Sequence, residues 1–152
     1  MASVSVKSSS GGRGIIQLTE IRETINRLKR AGVKIGNNVD KAIIVNAAKL
    51  AKEIELSIGG KRAEPKSFDT GLFANSIEVY KKKKMEAEVR PRSGVRYLDG
   101  TKIEDVAKWM EFGTSGKSGD LITPRKHFAN SSKRMRYKVV EDLNRAVKQS
   151  IS

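Results

Sequence analysis

The most constraining feature of this sequence is one apolar stripe with helical spacing, enclosed by two helix breakers. Between Asn37-Asn38 and Gly59-Gly60, apolar side chains recur every three or four residues: Val39, Ile43, Ala47, Leu50, Ile54 and Ile58. This period places them on one face of an amphipathic helix, and a glycine pair is typical of a helix end. The chain must therefore bury one side of a long helix against other elements.

Three further helices are predicted around this one. A short, basic helix is expected from Thr19 to Gly32, and another over residues 103–112, ending at Gly113. The longest follows Thr123-Pro124, where one stripe contains Phe128, Met135, Val139, Leu143 and Val147.

Between residues 77 and 89 the period of the apolar side chains changes to two. Apolar residues alternate with polar ones on both sides of a Lys81 to Lys84 turn: Ile77 and Val79 before it, and Met85, Ala87 and Val89 after it. Alternation predicts a β-hairpin with one buried face. The predicted fold class is α+β, with N-terminal helices, a small antiparallel sheet containing this hairpin, and a long C-terminal helix.

The length of 152 residues is that of one ordinary domain. Residues 1–14 are rich in Ser and Gly and end in Gly11-Gly12-Arg13-Gly14, which predicts a flexible N-terminal arm. Residues 15–152 are then expected to form a single α+β domain.

The composition excludes several classes of site. The chain has no Cys and one His, which leaves no disulfides, thiolate nucleophiles, zinc fingers or multi-His metal centres. No cofactor or metal is therefore expected. The longest apolar run, from Ala42 to Val45, is far shorter than the roughly 20 residues of a spanning helix, so no membrane partner is expected either.

The charge balance is unusual, with 31 basic against 17 acidic residues and a net charge of +14. Such a surplus suits an acidic partner. One basic cluster lies around the hairpin and consists of Lys81, Lys82, Lys83, Lys84, Arg90 and Arg92; a second runs from Arg125 to Lys138. Either could follow phosphates or simply be solvated, and aromatic residues that would stack on bases make up only 5% of the chain. A basic nucleic-acid-binding accessory protein is therefore the alternative function.

Three catalytic patterns are present only in fragments. Asp69-Thr70-Gly71 has the letters of an aspartic protease loop, but it occurs once and does not follow an apolar strand. The segment from Gly113 to Ser118 ends like a phosphate-binding loop, although Glu111 stands where that loop needs glycine. His127 lacks a nucleophile elbow and is expected to be a partly exposed structural residue. No enzymatic activity is expected.

Four short motifs follow the central helix in a fixed order. They are Asp69-Thr70-Gly71-Leu72, Asn75-Ser76-Ile77, Glu111-Phe112-Gly113-Thr114, and Pro124-Arg125 with Phe128. Over about residues 38 to 150, this series resembles the neck or tail-completion family of tailed bacteriophages, also described as head-tail joining or minor tail proteins. The sequence departs from the family pattern in two places. Leu72 follows Gly71 directly, and Trp109-Met110 occurs where the family is rich in Tyr.

The resemblance implies a non-enzymatic virion protein, made in the host bacterial cytoplasm and located at the head-tail junction. Its implied partners are copies of itself in a ring, portal-connector proteins, tail terminator or tail tube proteins, and the DNA in the lumen. The implied structural or interface residues are Asp69, Thr70, Gly71, Leu72, Glu111, Phe112, Gly113, Thr114, Pro124 and Phe128. We expect Phe112 to anchor either the core or a neighbouring subunit, and a Cβ to clash at Gly71 and Gly113.

Overall fold

A computed structural model describes residues 3–7, 13–16, 26, 36–67, 71–115 and 121–151. The helices within this part of the chain are α1 (Gly36–Ile58), α2 (Leu72–Asn75), α3 (Ile103–Phe112) and α4 (His127–Ile151). The strands are β1 (Ser3–Lys7), β2 (Arg13–Ile16), β3 (Ile77–Lys83), β4 (Glu86–Pro91), β5 (Thr114–Ser115) and β6 (Leu121–Ile122). The predicted α+β class is confirmed, with its hairpin and its long C-terminal helix.

Helix α1 lies at the centre of the fold, antiparallel to α4. One end of the pair is marked by Asn38, which donates a hydrogen bond to Ser150, and the middle by the Lys49–Asp142 ion pair at 2.7 Å. The apolar stripe of α1 is completely buried between α4 and the β3–β4 hairpin. The stripe of α4 is buried as well, apart from the half-buried Met135. Both helical periods were therefore predicted correctly.

The larger sheet has four strands in the order β2-β1-β4-β3. The predicted hairpin pairs β3 with β4, with Val79 opposite Val89 and an irregularity between Lys81 and Lys83. The other edge of β4 pairs in parallel with β1, and β1 pairs antiparallel with β2.

This sheet differs from the expected flexible arm over residues 1–14, because residues 3–7 and 13–14 belong to paired strands. The physical reason is that β4 otherwise has an unpaired edge, whose N–H and C=O groups a further strand satisfies. The expected helix from Thr19 to Gly32 lies outside the described residues, apart from Asn26. Within the described part of the chain, no helix combines the length and the apolar character needed to cross a membrane.

Candidate functional site

The motifs after the hairpin meet where α3 ends and α4 begins. Glu111, in the last turn of α3, is buried and accepts hydrogen bonds from the backbone N–H groups of Phe128 at 3.0 Å and Ala129 at 2.9 Å. These N–H groups lie in the first turn of α4, where backbone N–H groups have no acceptors within their own helix. Burial raises the pKa of Glu111, whereas the two backbone donors oppose that change. Glu111 therefore caps α4 from another helix.

Gly113 makes the turn that allows this capping. Its φ is +76°, and a Cβ at this position would lie 2.6 Å from the carbonyl oxygen of Ile122 and 2.9 Å from Cδ of Pro124. Such contacts are too close for any side chain, so the clash expected at Gly113 is present. Directly after it, Thr114 pairs with Ile122 in the small β5–β6 sheet. We call residues 111–114 and 122–128 the α3–α4 joint.

The backbone also closes the α3–α4 joint. The N–H groups of Arg125 and Lys126 both donate to the carbonyl oxygen of Met110, at 2.7 and 3.2 Å. The N–H of Gly113 donates to the carbonyl oxygen of Trp109 at 2.7 Å. The carbonyl of Met110 is therefore satisfied by the segment that leads into α4, and that of Trp109 by the residue that ends α3.

The two phenylalanines of the α3–α4 joint have opposite environments. Phe128 is 2% exposed and belongs to the core, whereas Phe112 is 56% exposed. Of the two expected roles of Phe112, an anchor in this chain's own core is wrong, because more than half of the residue faces solvent. Its neighbours Glu111 and Gly113 are both fixed, so the backbone that presents this ring has little freedom.

The Asp69-Thr70-Gly71-Leu72 motif is described only from Gly71 onward; Asp69 and Thr70 lie outside the described residues. Gly71 has a φ of +74°, but the nearest atom to a Cβ added there, Nδ2 of Asn75, would be 3.6 Å away. The clash expected at Gly71 is therefore wrong, and only its left-handed backbone favours glycine. Leu72 is half-buried in α2, which contacts α3.

A buried polar network surrounds His127, the first residue of α4. His127 is fully buried, with Nδ1 2.8 Å from Oγ of Ser57 and Nε2 in hydrogen-bond contact with Ser67. The Ser57 hydroxyl donates to Glu64 at 2.8 Å, so its oxygen is left to accept from the Nδ1–H of His127. Nε2 then accepts from the Ser67 hydroxyl. The expectation of a partly exposed histidine is wrong, although its structural role agrees with this arrangement.

Burial is the main reason that His127 stays neutral. Burial, with a smaller contribution from Arg125 and Arg134, lowers the pKa of His127 to about 4 against the pull of Glu64. Burial opposes ionisation of Glu64 too, but hydrogen bonds from Arg134, at 2.6 Å, and from Ser57 lower its pKa to about 2. The network therefore holds a neutral imidazole beside an ionised, paired carboxylate.

A serine hydrogen-bonded to a histidine is also the beginning of a nucleophile-base pair. A histidine with a pKa of about 4 is a weak base at neutral pH. A cleft of about 420 Å³ is lined by residues 63–65, 123–125 and Asn130, and neither Ser67 nor His127 lines it. In addition, Arg125 donates to Ser67 at 3.2 Å. These contacts favour a network that fastens α4 to the end of α1 and to the 61–67 loop.

Sequence reasoning missed this network. Ser57 lies one helical turn after Glu53 on α1. The local signal in the sequence is therefore that polar residues lie beside the apolar stripe near the end of this helix. The other partners come from residues 64, 67, 127 and 134, and only the antiparallel packing of α1 and α4 brings them together.

The hairpin lysines are extensively paired with acidic residues. Lys81 contacts Asp40 on α1, and this contact, the Met85 backbone N–H and, to a smaller extent, Lys84 lower the pKa of Asp40. Lys82 lies 2.5 Å from the fully buried Glu88. The hairpin is thus less of an open basic surface than its sequence indicates.

Three other members of this cluster also contact acidic or aromatic side chains. Lys83 lies 3.2 Å from Glu86, and Arg92 lies 3.3 Å from Glu78. The guanidinium of Arg90 stacks over the ring of Tyr80, 4.1 Å from its centroid. Most of the basic residues expected at this surface are therefore paired with residues on a neighbouring strand or on α1.

No family model, curated protein or solved structure matches this chain. Within the described residues, no group of three or more His, Asp or Glu side chains is placed to hold a metal ion.

Proposed function

We propose that this chain is a structural subunit of the head-tail connector of a tailed bacteriophage, which assembles as a ring at the junction of head and tail. The observation that carries the proposal is the exposed ring of Phe112 on the rigid α3–α4 joint. A large aromatic residue, 56% exposed between two fixed neighbours, has the properties of an anchor that fills a pocket in a partner.

The roles of the motif residues support a structural rather than a catalytic protein. Both carboxylate oxygens of Glu111 accept backbone hydrogen bonds, which leaves this residue poorly placed to exchange a proton with a substrate. Gly113 allows close packing, and Phe128 fills the core. The order of these motifs is what resembles the neck and tail-completion family, and Glu111, Gly113 and Phe128 each have a mechanical role in this fold.

The decisive experiment is electron microscopy of virions produced without this protein. If the proposal is right, DNA-filled or leaking heads accumulate separately from finished tails. Normal tailed virions in the deletion would overturn it.

Complementation of the deletion then tests the role of Phe112. Phe112→Ala should restore few joined particles while the purified variant melts within a few degrees of the wild type. Leu98→Ala is the matched control, because Leu98 is also a large apolar residue and is fully exposed in the loop before α3. Equal rescue by both variants would contradict an anchor role for Phe112.

A further inference from the structure

A surface groove lies between α1 and α4, away from the α3–α4 joint. Its lining comes from within residues 38–49 of α1 and residues 142–149 of α4, and its volume is about 330 Å³. From residue 38 to residue 49, α1 rises about 16 Å. Phe112 adjoins the start of α4, whereas this groove lies near the other end of that helix. We call it the α1–α4 groove, and it is a different surface from the one that presents Phe112.

The α1–α4 groove has an apolar contact in its lining. Ala42 and Ala146 line it from the two helices, and their small side chains leave room for a side chain from outside. Val45 lines it too and is 51% exposed, although it lies in a helix whose apolar stripe is buried. Covering Val45 removes apolar surface from water, which is favourable.

The acidic residue in the lining, Asp142, is already compensated. Its carboxylate lies 2.7 Å from Nζ of Lys49 and 3.5 Å from the guanidinium of Arg145. The Lys49 contact is the main cause that lowers the pKa of Asp142, and Arg145 and Asn46 add smaller contributions. Arg145 also lies 3.9 Å from Glu141, which is not among the described residues that line the groove. Asp142 therefore opposes an acidic partner only weakly.

Three cations line the α1–α4 groove against this one carboxylate: Lys41, Lys49 and Arg145. Lys41 is exposed, and no acidic side chain lies at ion-pair distance from it in the part of the chain that the structure describes. Lys41 and Lys49 lie one turn before and one turn after Val45 on the same face of α1. A partner that covers the valine therefore reaches both ammonium groups.

We infer that the α1–α4 groove binds an acidic amphipathic helix of a partner protein. The apolar face of such a helix covers Val45, and its carboxylates pair with Lys41 and Arg145. Laying an amphipathic helix along a groove is a common mode of peptide recognition. An extended segment suits the site less well, because both walls are helices whose backbone groups are hydrogen-bonded internally and offer no strand edge.

Charge and lining favour this partner over a second copy and over a nucleic acid. Each copy of the chain has a net charge of +14, so copies repel each other where an acidic protein is attracted. A phosphate backbone supplies charge but no apolar face to cover Val45. The inference goes beyond the connector proposal and does not rest on it, because Phe112→Ala should leave binding at the α1–α4 groove unchanged.

The experiment titrates a fluorescein-labelled peptide with the full-length chain and follows fluorescence anisotropy. The peptide is a synthetic helix of about 18 residues, with Leu at every third or fourth position and Glu at the flanking positions. A shuffled peptide of the same composition has the same charge but no apolar face. We expect a Kd of roughly 10 to 100 μM for the amphipathic peptide, because the groove is short for a protein interface, and about tenfold weaker binding for the shuffled one.

Two pairs of variants locate the binding site, and each variant lowers the net charge by the same amount. Lys41→Gln should weaken binding about threefold to tenfold, whereas Lys133→Gln, at an exposed position elsewhere on α4, should change it by less than about twofold. Val45→Glu places a like charge in the α1–α4 groove and should weaken binding about tenfold or more. Asn144→Glu adds that charge at an exposed position of α4 outside the described lining and should change binding by less than about twofold. Thermal melting checks that each variant is folded.

Four results would each overturn the inference. The first two are no binding of the amphipathic peptide by the wild type, and equal binding of the shuffled peptide. The third is an equal loss in Lys41→Gln and Lys133→Gln, because the charge of the whole chain would then be responsible. The fourth is self-association of the wild type in sedimentation that Val45→Glu abolishes, which would assign the α1–α4 groove to a second copy.

Discussion

The carboxylate of Glu111 caps the helix that begins at His127, with Oε2 3.0 Å from the backbone nitrogen of Phe128. This contact joins two helices that are separated along the chain by the β5–β6 sheet. It also connects the Glu-Phe-Gly-Thr motif with the later phenylalanine in a single physical unit. The spacing of the two motifs therefore reflects a helix cap supplied from a distance.

Removing this cap should destabilise the protein. Glu111→Ala leaves two N–H groups at the buried start of α4 without acceptors, and we expect a loss of about 2 to 4 kcal/mol in the free energy of unfolding. Glu111→Gln keeps one acceptor oxygen and should lose about half as much. Urea unfolding at pH 7 measures both variants. Wild-type stability in the alanine variant would show that the cap contributes nothing.

The two motif glycines should differ in their tolerance of alanine. At Gly113 a Cβ meets the Ile122 carbonyl oxygen and Pro124 in addition to an unfavourable φ, so Gly113→Ala should cost more than about 3 kcal/mol. At Gly71 only the positive φ opposes alanine, and the expected cost is about 1 to 2 kcal/mol. Thermal melting compares the two. Similar melting temperatures for both variants would contradict the packing described at the α3–α4 joint.

The sequence was sufficient to predict the elements that depend on local periodicity. The α1 stripe, the α4 stripe and the Ile77–Val89 alternation each continue long enough for the period to be read directly. Strand β1 was missed because Val4 and Val6 alternate only briefly within a Ser- and Gly-rich segment. Its pairing partner, β4, is about eighty residues away along the chain.

The site was harder to predict than the fold. The motif around Glu111 was recognised, but its capping role depends on where α4 begins relative to α3. The pairing of the hairpin lysines was partly visible in the sequence, because Glu86 and Glu88 occupy the strand opposite them. The buried network around His127 joins residues from three separate segments, and no local pattern indicates which polar residues will meet.

The His127 network should make stability depend on pH in a defined window. The folded pKa of His127, about 4, lies below its ordinary value of 6.5, so folding favours the neutral form. The stabilisation is complete above pH 6.5 and is lost as the pH falls towards 4, by up to about 3 kcal/mol. Glu64, lowered from 4.5 to about 2, contributes in the same direction but only below pH 4.5.

A histidine variant separates these two contributions. His127→Gln can still hydrogen-bond to both serines but does not titrate, so its stability should change little between pH 7 and pH 5. The wild type should lose stability over the same interval. Urea unfolding midpoints at the two pH values provide the comparison, and parallel losses in both proteins would exclude His127 as the titrating group.

The last prediction concerns the unequal roles of two neighbouring hairpin lysines. Lys82 lies 2.5 Å from Glu88, whose residue is fully buried, whereas Lys83 lies 3.2 Å from the partly exposed Glu86 with most of its own side chain in solvent. Lys82→Gln removes a cation that lies against the buried Glu88 carboxylate, and it should cost about 2 to 4 kcal/mol. Lys83→Gln breaks an exposed pair and should cost less than about 0.5 kcal/mol. Chemical unfolding of the two single variants tests this difference, and Lys82→Gln/Glu88→Gln should recover part of the loss because the buried charge is then removed. Equal stability of the two single variants would mean that Glu88 does not depend on Lys82 for its compensation.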